Sequence, residues 1–260
     1  MATPRFLTAD CLRDPRLSHG FFTRQGGVCP PLQDHMAQGL SAGFSTHANP
    51  KDILENRRRI EGAFGAPFVT AQQVHGTKVL CVEEPWDPLT QPREADGLVT
   101  NRPGLGLGIL TADCGPVLLA DLRAGVIGAC HAGWRGLRAG IIETSLDAMI
   151  ALGATRSHIC AALGPCIGPL SYEVDLDFPD HFSGALTNHH SFFTPSLKPG
   201  KLLFDFPRAI SAALGANGIR QPEILPHDTF AETHDFFSYR RAQCRQQAAY
   251  GRQISLIALK

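Results

Sequence analysis

Short apolar runs and stretches of helix-like periodicity alternate along the whole chain, separated by clusters of glycine, proline and polar residues. The apolar runs of strand length cover residues 19–23, 68–74, 78–83, 105–110, 125–130, 159–163 and 253–259. Helical periodicity predicts helices after residue 49, after residue 136 and over 205–215. This interleaving predicts an α/β or α+β protein, with 78–83 as the neighbour of 68–74, and the spacing leaves the rest of the topology open.

The first predicted helix has recognisable ends. In residues 49–52 a capping asparagine is followed by proline at the first helical position and by an acid in the first turn. The apolar residues Leu54, Ile60 and Phe64 are expected to share one face of this helix. Gly65 is expected to end it, because glycine adopts the left-handed conformation that closes many helices.

The second predicted helix is followed by a long irregular stretch. Four residues at helical spacing define its buried face, namely Leu137, Ile141, Ser145 and Met149, with Gly153 suited to the C-terminal cap. Residues 177–200 are polar and interrupted by prolines, so they are predicted to form an irregular surface excursion.

Composition excludes some classes of function. The 260 residues carry no formal net charge, which gives no support for a nucleic-acid or membrane-surface partner. The N-terminal segment lacks the apolar core of a signal peptide, and no run is long enough to span a bilayer, so we expect a cytoplasmic protein. The eight cysteines include no C-x-x-C pair and are expected to be reduced thiols.

Three apolar runs end on residues that can bind a metal. The run 105–110 leads through Asp113 to Cys114, the run 125–130 leads directly to His131, and the run 68–74 leads to His75. A strand end holds a side chain rigidly while it leaves the tip open to a ligand. Gly115 follows Cys114 and is itself followed by proline, a pair that interrupts the strand and exposes the thiol.

These residues allow two kinds of chemistry. One cysteine and two histidines would form a three-ligand metal site with a fourth position for water or substrate. Alternatively, Cys114 would be a nucleophile and His131 its base. The spacings match no local zinc motif, so composition and spacing leave both possibilities open. Either one makes the chain an enzyme.

Several segments carry a resemblance to one protein family. In chain order they are HGFFTRQGGV (19–28), QVHG (73–76), ADGLVT (95–100), TADCGPVLL (111–119), HAGWRG (131–136), GPCIGPLSYEV (164–174), FFSYRR (236–241) and GRQIS (251–255). They are similar to the family long labelled multicopper polyphenol oxidoreductases, or laccase-domain proteins. Its members are now described as purine nucleoside phosphorylases with adenosine deaminase and methylthioadenosine phosphorylase activities, and they include the bacterial peptidoglycan-editing factor. The similarity runs from about residue 19 to the C-terminus.

The resemblance implies a fold and a metal site. The family's metal ligands fall on His75, Cys114 and His131, with Zn²⁺ as the expected ion and Cu²⁺ as the alternative. The expected fold is an α+β sandwich, formed over residues 1–260 as a single domain, of mixed sheets packed together and flanked by helices. This fold is similar to the catalytic domain of cytotoxic necrotizing factors, which uses a cysteine and a histidine as a catalytic pair.

The implied substrates are purine nucleosides and phosphate. For deamination a zinc ion would activate water for attack on C6 of adenine, with Asp113 as the acid–base group nearest in sequence. Phosphorolysis requires arginines that hold phosphate against C1′ of the ribose. The candidates are Arg24, Arg57 and Arg135, and Tyr172 is a candidate for stacking on the base, as is Trp134.

The sequence is also compatible with two other classes of function. A Cys–His hydrolase or editing factor that acts on peptidoglycan precursors would use Cys114 as a thiolate. Copper-dependent oxidation of polyphenols would need a larger histidine-rich set, and no H-x-H or H-C-H string occurs in the chain. The preferred nucleoside, the native metal and the oligomeric state stay open.

The chain departs from the family pattern at two places. Residues 39–43 stand where the family usually has an Asn-Leu-Asn type of segment. Residues 227–229, His-Asp-Thr, stand where a Cys-Thr pair is expected before the FFSYRR segment. The first departure puts a substrate contact from the family's asparagine in doubt.

Overall fold

The computed structural model describes residues 3–28, 39–44, 49–247 and 249–260. Its strands are β1 (Phe6–Leu7), β2 (Leu17–Phe22), β3 (Phe68–Thr70), β4 (Val79–Cys81), β5 (Gly97–Thr100), β6 (Gly106–Thr111), β7 (Gly115–Asp121), β8 (Val126–Ala132), β9 (Cys160–Leu163), β10 (Glu173–Asp175), β11 (Phe193–Pro195), β12 (Lys201–Phe204), β13 (Glu223–Ile224) and β14 (Gln253–Leu259). Its α-helices are α1 (Pro50–Phe64), α2 (Trp134–Ala139), α3 (Ile141–Ala151), α4 (Phe206–Ala216) and α5 (Tyr239–Cys244).

Two larger sheets form the centre of the molecule. One has the order β1-β2-β14-β6-β3, and the other has the order β13-β9-β7-β8-β5-β4. Both mix parallel and antiparallel pairs: β3 runs parallel to β6, and β4 runs parallel to β5, whereas β7 and β8 form an antiparallel pair. These pairings confirm the predicted mixed sheets.

The two sheets pack face to face, and helices cover their outer faces. Leu107 and Ile109 of β6 meet Leu118 of β7 and Ile127 of β8 in one buried apolar cluster. A second cluster packs α3, α4 and the small sheet β10-β12-β11 against the far face of the six-stranded sheet. A third packs α1 against the far face of the five-stranded sheet. This layering confirms the α+β sandwich flanked by helices.

Helix α1 has the predicted ends but a different buried face. The Asn49 side chain accepts from the Lys51 amide, and Gly65 closes the helix in the left-handed conformation at φ 83°. The prediction that Leu54 lies on the buried face is wrong, since its exposed fraction is 46% and Ile53 is buried instead. Asn56 shares that face because its amide group donates to the Gly39 and Ser41 carbonyls.

The predicted strand 68–74 is shorter than expected. It ends at Thr70, and the side-chain amide of Gln73 takes over the pairing with β6: its Nε2 donates to the Leu110 carbonyl, and its Oε1 accepts from the Leu110 amide. The expected pairing of 68–74 with 78–83 is also wrong. β3 belongs to the five-stranded sheet and β4 to the six-stranded sheet.

Two later segments also differ from the expectation. The helix predicted after residue 136 is two helices, because Gly140 adopts φ 96° between α2 and α3. The stretch 177–200 is not wholly an irregular surface excursion, since it contains β11 and two 3-10 helices that bury Phe182 and Phe192. None of the described helices is long and apolar enough to cross a membrane.

Candidate functional site

The antiparallel pair β7–β8 places Cys114 beside His131. Cys114 immediately precedes β7, and His131 lies in β8 opposite Pro116. The strand runs through His131 to Ala132, so this histidine is held within the sheet and does not follow the strand as predicted. His131 is therefore positioned by backbone that is hydrogen-bonded across the sheet, and Cys114 by the residue at which β7 begins.

His75 reaches the same place from a turn. It adopts φ 61°, a left-handed conformation that is uncommon for a residue with a side chain. The carboxylate of Asp96 stabilises this turn by accepting from the amides of Val74, His75 and Gly76 at 3.2, 2.9 and 2.7 Å. A fully buried carboxylate that accepts hydrogen bonds from several amides satisfies the backbone of the turn. These bonds together hold the turn in its strained conformation.

One ligand atom from each of His75, Cys114 and His131 lies within 4.8 Å of the other two. The Sγ atom of Cys114 is 3.8 Å from Nε2 of His75. The two imidazole rings lie edge to face with their centroids 4.8 Å apart. The structure thus brings together the three residues that the sequence places at separate strand ends.

Gly133 makes this close approach possible. A Cβ atom at this position would lie 2.8 Å from Cδ2 of His75 and 3.3 Å from Sγ of Cys114. The first of these distances is shorter than carbon atoms tolerate without movement. The glycine of the HAGWRG segment therefore allows the three side chains to meet.

Asp96 also orients His131, and sequence reasoning missed it. Its Oδ1 atom lies 2.8 Å from Nδ1 of His131, and its carbonyl accepts from the His131 amide at 2.7 Å. This contact leaves Nε2 as the remaining ring nitrogen for a ligand or a proton. A carboxylate behind a histidine fixes the tautomer and the ring orientation. The signal that could have found Asp96 is the ADGLVT segment, where a carboxylate directly precedes a strand.

The cluster changes the protonation of its own members. Burial raises the pKa of the Cys114 thiol, but the charge of His131 and hydrogen bonds from both histidines outweigh burial and lower this pKa to about 6. Burial lowers the pKa of His131, but the Cys114 thiolate and Asp96 outweigh burial and raise it to about 9. In the absence of a metal, the pair is thiolate and imidazolium at neutral pH.

The donor set fits a zinc ion. Thiolate and neutral imidazole are the ligands that zinc prefers, and three of them leave a fourth position open. On a tetrahedral zinc centre a sulfur and a nitrogen ligand lie roughly 3.6 Å apart. The 3.8 Å between Cys114 and His75 is close to that value. His131 has the carboxylate behind its other nitrogen that metal-binding histidines usually have.

Two clefts open on the cluster and share His75, Cys114, Arg135 and Tyr239 in their walls. The first, of about 210 Å³, contains the rings of Trp134, Tyr172, Phe206 and Tyr239 and is also lined by Asp113, Ile167 and Arg240. The second, of about 300 Å³, is more polar and is also lined by Gln73, Thr111, His131, Tyr250 and Arg252. We call them the aromatic cleft and the polar cleft.

A larger cleft lies elsewhere and carries no comparable chemistry. It has a volume of about 520 Å³, and its walls include Phe6, Leu12, Leu17 and His19. His19 already accepts from the Ala9 amide through Nε2. The assignment of the site therefore rests on the side chains that converge, and cavity size does not decide it.

Asp113 precedes Cys114 in sequence, but its carboxylate forms hydrogen bonds with the 229–240 segment. It accepts from Thr229 Oγ1 at 2.7 Å, from Ser238 Oγ at 2.9 Å and from the Arg240 amide at 2.6 Å. Burial raises its pKa, and these three donors oppose that effect. The role of Asp113 as an acid–base group stays a prediction, and its contacts are those of a residue that holds the 229–240 segment against the aromatic cleft.

The predicted substrate contacts divide into two groups. Arg135 and Tyr172 line the clefts. Arg24 and Arg57 are not among the described residues that line either cleft. Arg57 donates to the Ala42 carbonyl and to Thr70 Oγ1, and burial lowers its pKa to about 10. Arg24 donates to the Thr233 carbonyl and lies over the Phe237 ring. For these two arginines, the structure shows contacts that stabilise the fold.

The two departures from the family pattern lie close to the site. Ser41, in the first departure, accepts through Oγ from the amide of Arg252, which lines the polar cleft. Asp228, in the second, directly precedes Thr229, which donates to Asp113. Both segments therefore form hydrogen bonds with residues that line the clefts.

A cysteine and two histidines that converge in the wall of two clefts define the candidate active centre of an enzyme, with a donor set that fits a metal ion. The family model described as multi-copper polyphenol oxidoreductase laccase matches residues 18–260, and the chain belongs to this family.

Similar proteins in the family carry another name. The chain is 35% identical over 255 residues to a purine nucleoside phosphorylase of Pseudomonas aeruginosa, with 98% of both chains covered. It is 38% identical over 231 residues to one of Streptomyces griseus, with 86% of this chain and 89% of the other covered. A solved structure from Neisseria meningitidis matches with a TM-score of 0.86 and 31% identity, over 98% of this chain and 99% of the other.

Proposed function

We propose that this protein is a purine nucleoside phosphorylase that also deaminates adenosine. The substrates would be adenosine, inosine, guanosine, methylthioadenosine and phosphate. The observation that carries the proposal is the cluster of His75, Cys114 and His131 in the wall shared by two clefts. The names of the relatives, which cover nearly the whole chain, support the same chemistry.

In this proposal His75, Cys114 and His131 hold a zinc ion. When bound, zinc supplies a Lewis acid that activates water near neutral pH, the chemistry that deamination at C6 of adenine requires. Asp96 holds the His131 ring with Nε2 towards the ion, and it holds the turn that carries His75. The chain supplies a preorganised site, so little reorganisation is needed when substrate binds.

The aromatic cleft would bind the nucleoside. Tyr172 and Trp134 line this cleft, and each has a guanidinium over its ring, that of Arg240 at 5.1 Å from the Tyr172 centroid and that of Arg135 at 4.4 Å from the Trp134 centroid. Asp113 enters the proposal as a positioning residue, because its carboxylate already accepts three hydrogen bonds from the segment that carries Arg240. A purine that stacks here would place its ribose towards Cys114 and Arg135, which form the common wall.

In phosphorolysis a phosphate oxygen forms a bond to C1′ while the bond from C1′ to the purine nitrogen breaks. The bonding electron pair leaves with the purine, which takes up the proton carried by the phosphate monoanion. Arg135 is the candidate for neutralising the phosphate, since it lines both clefts and has no acidic partner among the described residues.

The test is an assay of metal-analysed protein with adenosine, with and without phosphate, in which chromatography follows the products. The proposal expects adenine and ribose 1-phosphate only with phosphate, inosine in either case, and about one zinc ion per chain. Cys114→Ala should lose both activities, and Cys81→Ala, at an exposed cysteine of β4, should keep them. No turnover of any purine nucleoside by the zinc-loaded protein would reject the proposal.

A specific observation favours a second candidate, a Cys–His hydrolase. Cys114, His131 and Asp96 have the order of contacts found in a nucleophile, its base and the carboxylate that orients the base. Its substrate class would be peptidoglycan precursors. Hydrolysis of such a substrate by metal-free protein, lost in Cys114→Ala, would support this candidate, and activity that requires zinc would reject it.

A further inference from the structure

The polar cleft contains a buried hydroxyl that lacks a partner. Thr111 is 2% exposed, and its Oγ1 atom has no hydrogen-bond partner within the described residues. It lines the polar cleft beside Cys114 and His131. A buried hydroxyl without a partner costs free energy, so its presence in a cleft wall points to a ligand that satisfies it.

The position of Thr111 is set by the end of a β-ladder. The last pair between β6 and β14 joins Thr111 to Gln253, and Arg252 precedes Gln253. Arg252 is therefore brought to the same end of the five-stranded sheet, where its amide donates to Ser41 and its side chain lines the polar cleft. The pairing of β6 with β14 therefore brings the Thr111 hydroxyl and the Arg252 guanidinium to the wall of the same cleft.

The charge of the polar cleft favours an anion. Its described lining includes Arg135 and Arg252 and contains no aspartate or glutamate. Asp96 lies behind His131, and the Asp113 carboxylate is bonded to the 229–240 segment, so neither of these carboxylates lines the polar cleft. Guanidinium groups together with hydroxyl donors are the partners that a phosphate uses for charge-assisted hydrogen bonds.

Other polar groups in this wall already have partners. The Gln73 amide exchanges two hydrogen bonds with the Leu110 backbone. Tyr250 packs edge-on against Tyr239 with ring centroids 5.2 Å apart and lies 3.4 Å from an Arg252 nitrogen. Among the described hydroxyl groups of this wall, Thr111 Oγ1 is thus the buried one without a hydrogen-bond partner.

The geometry points to the polar cleft as the oxyanion site of this protein, with Thr111 as a hydrogen-bonding contact to inorganic phosphate and Arg252 as a cationic one. This inference rests on the proposed function and deepens it by dividing the two substrates between the two clefts. Phosphate would bind in the polar cleft and the nucleoside in the aromatic cleft, and His75 and Cys114 would lie in the wall that both clefts share. Thr111 would be a specificity-determining residue for the anion.

The decisive experiment is calorimetric titration of inorganic phosphate into zinc-loaded protein, with the zinc content measured for every variant. Thr111→Val removes the hydroxyl and keeps the shape, so we expect phosphate affinity to fall by at least about ten-fold. Thr111→Ser keeps the hydroxyl and should restore wild-type affinity. Thr194→Val, at an exposed residue of β11, is the control and should bind phosphate as the wild type does.

Steady-state kinetics test whether the two clefts bind different substrates. Thr111→Val should raise the KM for phosphate by a much larger factor than it changes the KM for nucleoside. Tyr172→Leu, in the aromatic cleft, should raise the KM for nucleoside. An unchanged phosphate affinity in Thr111→Val, or no phosphate binding by the wild-type protein, would overturn the inference. Phosphate binding that depends on Thr111 without nucleoside turnover would uphold the anion site and reject the proposed function.

Discussion

The carboxylate of Asp96 contacts Nδ1 of His131 at 2.8 Å and at the same time accepts the amides on both sides of His75. One buried side chain therefore positions two of the three candidate metal ligands. The third, Cys114, is placed by the start of β7. The site depends on Asp96 even though this residue donates no ligand atom to the cluster.

Asp96→Asn tests this dependence. The substitution keeps the size of the side chain and removes the charge that holds the His131 tautomer, so zinc affinity should fall by roughly 10- to 100-fold. Competition with a coloured chelator measures it. Asp121→Asn is a matched control, since Asp121 is fully buried and accepts the amides of Arg123, Ala124 and Thr155 away from the site. Equal zinc affinities in the two variants would contradict the assigned role of Asp96.

Gly133→Ala tests the close approach of the ligands. The added Cβ would lie 2.8 Å from His75 and would separate it from Cys114, so the variant should lose most of its zinc and both proposed activities. Gly62→Ala is the comparison, because Gly62 lies in α1 with nothing near an added Cβ. It should keep its zinc and gain about 0.5–1 kcal/mol in the free energy of unfolding. Metal analysis and thermal melts would show whether Gly133→Ala folds without the ion.

The reactivity of Cys114 in metal-free protein should depend on pH. Its pKa is lowered from 9.0 to about 6, so alkylation by iodoacetamide should be fast above pH 6 and slow as the pH falls through that value. The Cys81 pKa is raised by burial and by Glu83, so this exposed thiol should react only at higher pH and serves as an internal comparison. Mass spectrometry of the two peptides measures both rates. Faster modification of Cys81 at pH 7 would contradict the prediction.

The same shifts predict a pH window for the stability of the metal-free fold. The lowered pKa of Cys114 contributes stability above its unfolded value that is lost as the pH falls through about 6. The raised pKa of His131 contributes stability below its unfolded value that is lost as the pH rises through about 9. The thiolate–imidazolium pair is therefore intact between about pH 6 and 9. Denaturant midpoints for wild type and Cys114→Ala, compared across this range, should differ in their pH dependence.

Asp113→Ala should destabilise the 229–240 segment. The change leaves Thr229 Oγ1, Ser238 Oγ and the Arg240 amide without an acceptor, so we expect a loss of about 2–4 kcal/mol in the free energy of unfolding. Denaturant titration measures this loss. Asp113→Asn keeps one acceptor and should lose less. If Asp113 is a positioning residue, the pH profile of deamination by Asp113→Asn will keep its shape, whereas a catalytic acid–base group would remove one limb of the profile.

Much of the local structure follows from sequence pattern because it depends on neighbours along the chain. Strand β14 has the bounds of the apolar run that predicted it, and α1 lies between a capping asparagine and a left-handed glycine. The sequence pattern fails to predict a strand end where a side chain replaces the backbone in pairing with a segment that is distant in sequence. Gln73 ends β3 early by pairing through its side chain with Leu110, which is far away in sequence.

The sequence by itself identified Cys114, His75 and His131 as metal-capable residues at the ends of apolar runs, because residue type and strand periodicity are local properties. Only the tertiary structure decided that they meet, that Asp96 lies behind His131, and that Arg57 packs away from the clefts while Thr111 lines one of them. The physical reason is that sheet pairing and burial join segments with no fixed separation in sequence. Which polar groups share a cavity is set by those long-range contacts.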